Sequence, residues 1–280
     1  MSFLIPRPGQ VLSHSIEDYP EGIVLPVDKP YRWTSADVIR KLKWRAIRHF
    51  GKKNLKVGHA GTLDPLATGV LLVCIGDACK KAQMLQDHDK EYIAGIRFGA
   101  TTPSYDLEKE VDRRFPFEHI SADAVRAALP AFLGEQEQVA PLFSAKSVDG
   151  VRAYELARKL YRSGRLNELD AAAMDTLQRS RIVISELELL SFGASSPAAP
   201  LDPESRASSR INVADTSALG LPEAVIRIGC SKGTYIRAFA RDLGEALGSG
   251  AHLGSLIRSR SGDFRVSDAL SLDDALALFE

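Results

Sequence analysis

Val70-Leu71-Leu72-Val73-Cys74-Ile75 is an unbroken apolar run held between Gly69 and Gly76. A run this short, bounded by glycines, reads as a buried strand rather than a helix. Such a strand needs neighbours in a sheet and cover over it, so the chain must build a layered domain around this segment. Its 280 residues suffice for one or two domains without disulfides or a structural metal. The segment leading into the strand, Gly58-His59-Ala60-Gly61-Thr62-Leu63-Asp64-Pro65-Leu66-Ala67-Thr68-Gly69, carries three glycines in twelve residues. Glycine permits tight turns and close approach of main chain to a ligand or another strand.

The other elements follow from periodicity. Thr34 and Ser35 are N-cap residues, and a helix to Phe50 places Val38, Ile39, Leu42, Ala46, Ile47 and Phe50 on one half of its wheel. Tyr92–Phe98, Arg181–Phe192 and Ala224–Cys230 are predicted strands. Ala122–Phe132, Val151–Tyr161 and Tyr235–Leu247 are predicted helices, stopped by Gly134, Gly164 and Gly248. Ser195–Ser209 is rich in Ser, Pro and Ala and is expected to be a flexible surface insertion. The order predicts an α+β (mixed α/β) domain, without regular βαβ alternation.

Composition bears on partners and compartment. Three cysteines, none at metal-ligand spacing, fit a reducing cytoplasm. The N-terminus lacks an apolar core of signal-peptide length, and nowhere do about 18 apolar residues run together, so neither export nor a membrane span is expected. The 36 basic and 36 acidic residues cancel, which at first counts against nucleic acid. Their distribution reverses that inference. Between Lys29 and His59 ten basic residues face one acid, a net +9, and Arg227–Arg265 carries a net +4. In the first cluster Arg40, Lys41, Lys43, Arg45 and Arg48 fall on the face of the helix opposite its apolar half.

The glycine-rich loop is the place for chemistry. Asp64 precedes Pro65, which biases its backbone to an extended conformation and fixes the next φ. A carboxylate is thereby held on a stiff loop at a strand's edge, where functional groups concentrate; an Asp-Pro turn joining two strands is the plainer alternative. The loop lacks the Gly-Lys-[Ser/Thr] of a P-loop. Farther on, Ser231-Lys232-Gly233-Thr234-Tyr235-Ile236-Arg237 opens a helix. With Thr234 as N-cap, Arg237 falls at N3, where a capping box would want Glu and the helix dipole disfavours a cation by about 0.3–1 kcal/mol. An acid should compensate it, and Asp64 is the expected partner.

Together these residues resemble the TruB family of tRNA pseudouridine synthases. The resemblance runs in order through Val27-Asp28-Lys29-Pro30 with Thr34-Ser35, the loop Gly58–Gly69, and Asp89-Lys90-Glu91-Tyr92. It continues through Thr101–Asp106, Gly150 with Tyr154–Arg158, Cys230–Arg237, Asp242-Leu243-Gly244, and Gly250–Leu253 with Leu256 and Arg258. It implies a pseudouridine-synthase fold, with a largely antiparallel mixed sheet flanked by helices and loops. It also implies isomerisation of a uridine in the T loop of tRNA, position 55, without cofactor or metal. By motif match, Asp64 is the nucleophile, Tyr92 packs against the base and is a candidate for proton removal, and Arg237 pairs with Asp64. Lys29, His59, Tyr235 and Leu256 match substrate-binding positions, His59 being the residue inserted into the T loop. Arg40, Lys41, Arg45 and Arg258 are expected on the RNA backbone. Only tRNA, through its T stem-loop, is expected as a partner, with no obligatory protein partner.

The resemblance places an N-terminal extension at 1–21, a catalytic domain at 22–265 with an insertion at about 194–210, and a short tail at 266–280 that leaves no room for the C-terminal RNA-binding PUA domain of many relatives. The chain departs from the family pattern at Tyr31-Arg32-Trp33, where a glycine is usual, so that turn is expected to differ. Ala60 replaces a frequent Thr, and Lys146 falls one position early, so it is given no role. Two other readings remain: a tRNA-binding folding factor (RNA chaperone) whose isomerisation is secondary or lost, and an N-glycoside hydrolase. The hydrolase would release free uracil and usually needs two carboxylates.

Overall fold

The computed structural model describes residues 3–141, 143, 147–148, 151–152, 163, 179–195 and 211–280. Its strands are β1 (Ile23–Lys29), β2 (Val57–Ala60), β3 (Ala67–Ile75), β4 (Lys90–Phe98), β5 (Ala100–Thr101), β6 (Arg113–Arg114), β7 (Gly134–Val139), β8 (Ser147–Val148), β9 (Val151–Arg152), β10 (Arg179–Ala194), β11 (Pro222–Cys230), β12 (Ala251–Ser261) and β13 (Phe264–Arg265). The α-helices are α1 (Ser35–Phe50), α2 (Ala82–Asp87), α3 (Ala122–Ala128), α4 (Ile236–Ala246) and α5 (Leu272–Ala277). The main sheet runs β1-β3-β12-β4-β11-β10-β7, with β2 beside β3 and β13 beside β12. Its β1/β3, β2/β3, β10/β11 and β7/β10 pairs are antiparallel, and β3/β12 is parallel. This is the mixed, largely antiparallel sheet of the predicted α+β class.

The chain divides into two compact units. The first comprises Met1–Ile93, Ala199–Ile211 and Leu256–Glu280. The predicted apolar run is its spine: β3 lies beside β1 on one edge and beside β2 and β12 on the other. Val70, Leu72 and Cys74 form one cluster with Val24, Ala60, Ala78 and Leu85, all fully buried. Helix α1 is built as its sequence dictates. Thr34 caps it in a reciprocal box with Asp37, Gly51 ends it in the left-handed conformation, and Val38, Leu42, Ala46 and Phe50 are buried.

The expected extension 1–21 and tail 266–280 are both packed parts of this unit. Leu12, Ile16, Leu270, Leu272, Leu276 and Phe279 are buried. Leu4 pairs in parallel with Ile23 and Leu270 with Val27, along the free edge of β1. The turn before α1 keeps the conformation a glycine would supply: Arg32 takes φ +61°. Its guanidinium donates to the Ile211 carbonyl.

The second unit comprises Ala94–Ala198 and Asn212–Ser255. Strand β10 alternates as expected around Ile182 and Ile184, both buried, with Val183 outside. Its register against β11 shifts between Ile184 and Glu186 and again between Leu189 and Ser191. The predicted helix 122–132 stops being α-helical at Ala128 and finishes as a 3-10 turn, Leu129–Phe132, because Pro130 has no N–H to give to an α-helical ladder. Most of the helix predicted over 151–161, the residue Lys146, and most of the insertion 195–209 lie outside the described residues.

Candidate active site

The Asp64 loop is held by bonds to its main chain on both sides of Asp64. Ser35 Oγ donates to the Leu63 carbonyl at 3.0 Å and accepts from the Leu63 amide at 2.9 Å. Lys29 Nζ donates to Pro65 O at 3.2 Å, and to Pro30 O and Trp33 O at 2.9 and 2.6 Å. Arg258 donates from Nη2 to Gly61 O at 3.0 Å, from Nη1 to Thr62 O at 3.4 Å and from Nε to Val70 O at 2.7 Å. The Ala67 amide closes a turn on Asp64 O at 3.1 Å. Leu63 and Leu66 are buried on either side, and Asp64 is half-buried. The loop presents one carboxylate from a fixed frame.

Gly69 explains the loop's second end. It takes φ +96°, and a side chain there would overlap the backbone of Arg258, because β3 and β12 pair Gly69 with Arg258 and Ala67 with Leu256. Leu256 therefore sits half-buried at the loop's exit. His59 lies on β2 opposite Val73. Burial, and then the Arg258 charge, hold its imidazole below the ordinary histidine value. Tyr92 is buried on β4. So the first unit gathers Lys29, His59, Asp64, Tyr92, Leu256 and Arg258 of the predicted site.

Two of these are enclosed, with their charges turned to loop carbonyls. Arg258, expected on the RNA backbone, is 1% exposed, with its guanidinium engaged by loop carbonyls. Lys29, expected to bind substrate, is fully buried and braces Pro65. Burial pulls the Lys29 ammonium down to about 7, opposed by the Asp64 charge and reinforced by that of Arg258.

Tyr235 and Arg237 belong to the second unit. Thr234 does not cap α4: its hydroxyl donates to Ser231 O at 2.9 Å, and Tyr235 is the N-cap. Arg237 is thus at N2 rather than N3, still in the first turn. Gln138 fixes Tyr235 by accepting from its amide at 2.8 Å and donating to its carbonyl at 3.1 Å. Arg237 is buried and donates to Ser104 O at 3.1 Å and Phe143 O at 2.9 Å. Its Nε lies 3.8 Å from Asp106 Oδ2. Asp106 is buried too, its other oxygen accepting from Ser104 Oγ at 2.6 Å and the Glu108 amide at 2.9 Å. Asp106 is thus one acidic neighbour of this first-turn arginine, a residue to which sequence reasoning gave no role. Its signal was present: an acid inside Thr101–Asp106, in a chain that buries few of its charges.

On α1, Arg40, Lys41, Lys43, Trp44 and Arg48 are exposed and Arg45 is half-buried. The Arg48 and Arg45 guanidinium carbons sit 4.7 and 5.6 Å from the Trp44 ring centroid, and Lys41 Nζ lies 5.2 Å from that of Trp33. The face therefore joins positive charge to an exposed indole. Among the described residues no group of three or more His, Cys, Asp and Glu is placed to hold a metal ion. No described helix is long and apolar enough to cross a membrane.

The chain is similar to tRNA pseudouridine synthase B of Phocaeicola vulgatus, 48% identical over 256 residues that cover 91% of this chain and 92% of that protein. It is 49% identical over 253 residues to tRNA pseudouridine synthase B of Bacteroides thetaiotaomicron, covering 90% and 91%. Among solved structures, a Cbf5-Nop10-Gar1 complex matches with a TM-score of 0.59 at 24% identity, over 94% of this chain and 56% of that one. An archaeal box H/ACA sRNP Nop10-Cbf5 complex matches at 0.54 and 23%, over 92% and 54%. The chain thus spans about half the length of these structural neighbours, and the likeness to them is one of fold. The family model for the N-terminal domain of TruB family pseudouridylate synthases matches residues 48–196, and with relatives nearly half identical along almost its whole length, the chain belongs to the TruB family.

Proposed function

We propose that this chain converts uridine to pseudouridine in the T loop of tRNA, at position 55, in the cytoplasm, with residues 22–265 as the catalytic domain and Asp64 as the nucleophile. The observation that carries the reading is the single half-buried carboxylate on a loop whose flanking residues are fixed by Ser35, Lys29 and Arg258. Reactions of this kind depend on holding the reacting groups in an attack geometry. The curated relatives, named tRNA pseudouridine synthase B, supply the substrate class.

In this reaction the N-glycosidic bond breaks, the uracil turns while bound, and its C5 bonds to ribose C1′. The proton on C5 leaves and N1 gains one, so the change is an isomerisation with no net redox. Asp64 serves it by bonding C1′ directly or by taking the 2′ proton to give a glycal. Arg237 pairs with the Asp64 carboxylate and keeps it ionised, its guanidinium also engaging Ser104, Phe143 and Asp106. Tyr92 packs against the base and takes part in proton removal, and Tyr235 and Leu256 line the pocket. His59 enters the T loop, replacing the stacking that the flipped uridine gives up at a cost of a few kcal/mol. Its depressed basicity keeps the ring neutral, the form suited to packing among bases. Arg40, Lys41 and Arg45 engage the RNA backbone.

The test is to incubate wild type and Asp64→Asn with an unmodified T-arm transcript and to assay pseudouridine and free uracil. Pseudouridine from wild type alone is expected, with at least about 10³-fold less from the variant. Equal product from both would remove Asp64 from the chemistry. Free uracil would indicate glycoside hydrolysis, and tight binding without product would indicate a folding factor.

A further inference from the structure

Arg258 is an unusual residue to enclose. It is among the largest fully buried side chains of the protein, and among the described residues its partners are carbonyl oxygens rather than a carboxylate. An enclosed charge without such compensation costs several kcal/mol. The three carbonyls it meets belong to Gly61, Thr62 and Val70, on both sides of Asp64 in the chain. A guanidinium is suited to this because its N–H groups form one rigid planar fork, whereas an ammonium is a point donor on a flexible stem. The fork is itself fixed, since Arg258 lies in β12 in register with Gly69, whose missing side chain lets the two backbones meet.

We propose that Arg258 is a positioning residue for the isomerisation, closing the Asp64 loop across its two ends so that the carboxylate is held at the reacting ribose. The inference rests on Asp64 acting in that reaction. Lys29 completes the frame from the opposite strand: its ammonium holds Pro65, while β1 pairs Lys29 with Gly69. Both ends of the loop are therefore referred to one residue pair, Gly69 and Arg258. Loosening the fork by one bond lets Asp64 move relative to the rest of the site, and a displacement of about 1 Å is enough to cost about 10²-fold in rate.

The experiment compares wild type, Arg258→Lys and Arg258→Gln with a T-arm transcript, measuring RNA affinity, the single-turnover rate at saturating RNA, and amide hydrogen exchange over residues 58–70. Arg258→Lys keeps the charge but offers one nitrogen on a flexible stem where the guanidinium offers three in a rigid plane, so it cannot keep all three bonds in their present geometry. It is expected to bind RNA within about twofold of wild type, to react at least about tenfold more slowly at saturation, and to exchange faster in the loop alone. Arg258→Gln should be slower still. Three results would overturn the role: weakened binding with a flatter salt dependence and an unchanged saturated rate, a rate that falls only with the fraction of unfolded protein, or an unchanged loop exchange. An inactive wild type would instead remove the proposed reaction, and this role with it, so the two failures are told apart.

Discussion

His252 is fully enclosed on β12, with Nδ1 2.8 Å from the carbonyl oxygen of Ala100. A carbonyl only accepts, so Nδ1 carries the proton and Nε2, buried without a partner among the described residues, is bare. Burial pulls this imidazole down to about 4, partly opposed by the Ala100 bond. The unfolded chain, with a histidine near 6.5, binds the extra proton at higher pH than the native one does. Stability is therefore full above pH 6.5 and is lost as pH falls toward 4, by on the order of 3 kcal/mol over the window. Urea unfolding at pH 7, 6 and 5 should show that slope, and His252→Gln should lack it. Arg32 illustrates a different limit at the same scale. The residue types of Tyr31-Arg32-Trp33 do not announce a left-handed residue, because few non-glycine residues adopt φ > 0, yet Arg32 takes φ +61° and its guanidinium reaches the Ile211 carbonyl.

Among the elements, α1 was legible almost to the residue because its instructions are local: a capping box at Thr34 and Asp37, a glycine stop at Gly51 and an apolar stripe between them. The same holds for β3, a continuous apolar run. The start of α4 was missed by one residue because Thr34 and Thr234 look alike in sequence, and only the turn at Ser231 decides that Thr234 spends its hydroxyl elsewhere. The frame of the Asp64 loop was less legible. Asp64 stands out by its proline and glycines, but the buried work of Lys29 and Arg258 depends on the parallel pairing of Ala67–Gly69 with Leu256–Arg258, segments far apart in the chain. Basic residues in a basic segment read as a surface, and for α1 they form one. Reversing charge at Arg40, Lys41 and Lys43, or replacing Trp44 by Ala, should weaken T-arm binding. The charge reversals alone should also lower the slope of log affinity against log salt, by about 1 for each phosphate no longer neutralised. Turnover at saturating RNA should hold in all of them.

At the scale of the whole molecule, the edge of β1 is closed by chain from both directions. Leu4 exchanges main-chain bonds with Gly22 and Val24, and Leu270 with Pro26 and Asp28. Pro26 itself has no N–H to offer, so little of this edge is left to template another strand. Leu270→Pro removes the bond to Pro26 O and should lower the melting temperature by several degrees and raise light scattering near the midpoint. The neighbouring Leu278→Met, a volume-conserving change in the same tail, should do neither.

This closure also sets an order of events in time. The first unit begins with Met1–Ile93 but is completed only by Leu256–Glu280, with roughly 160 residues between. At about 5–20 residues per second of synthesis, β1 and the Asp64 loop wait for about 10–50 seconds on the ribosome before Arg258 and Leu270 exist to hold them. The Asp64 segment and β1 are among the first parts of the protein to be made, and two of the residues that hold them in place, Arg258 and Leu270, are among the last.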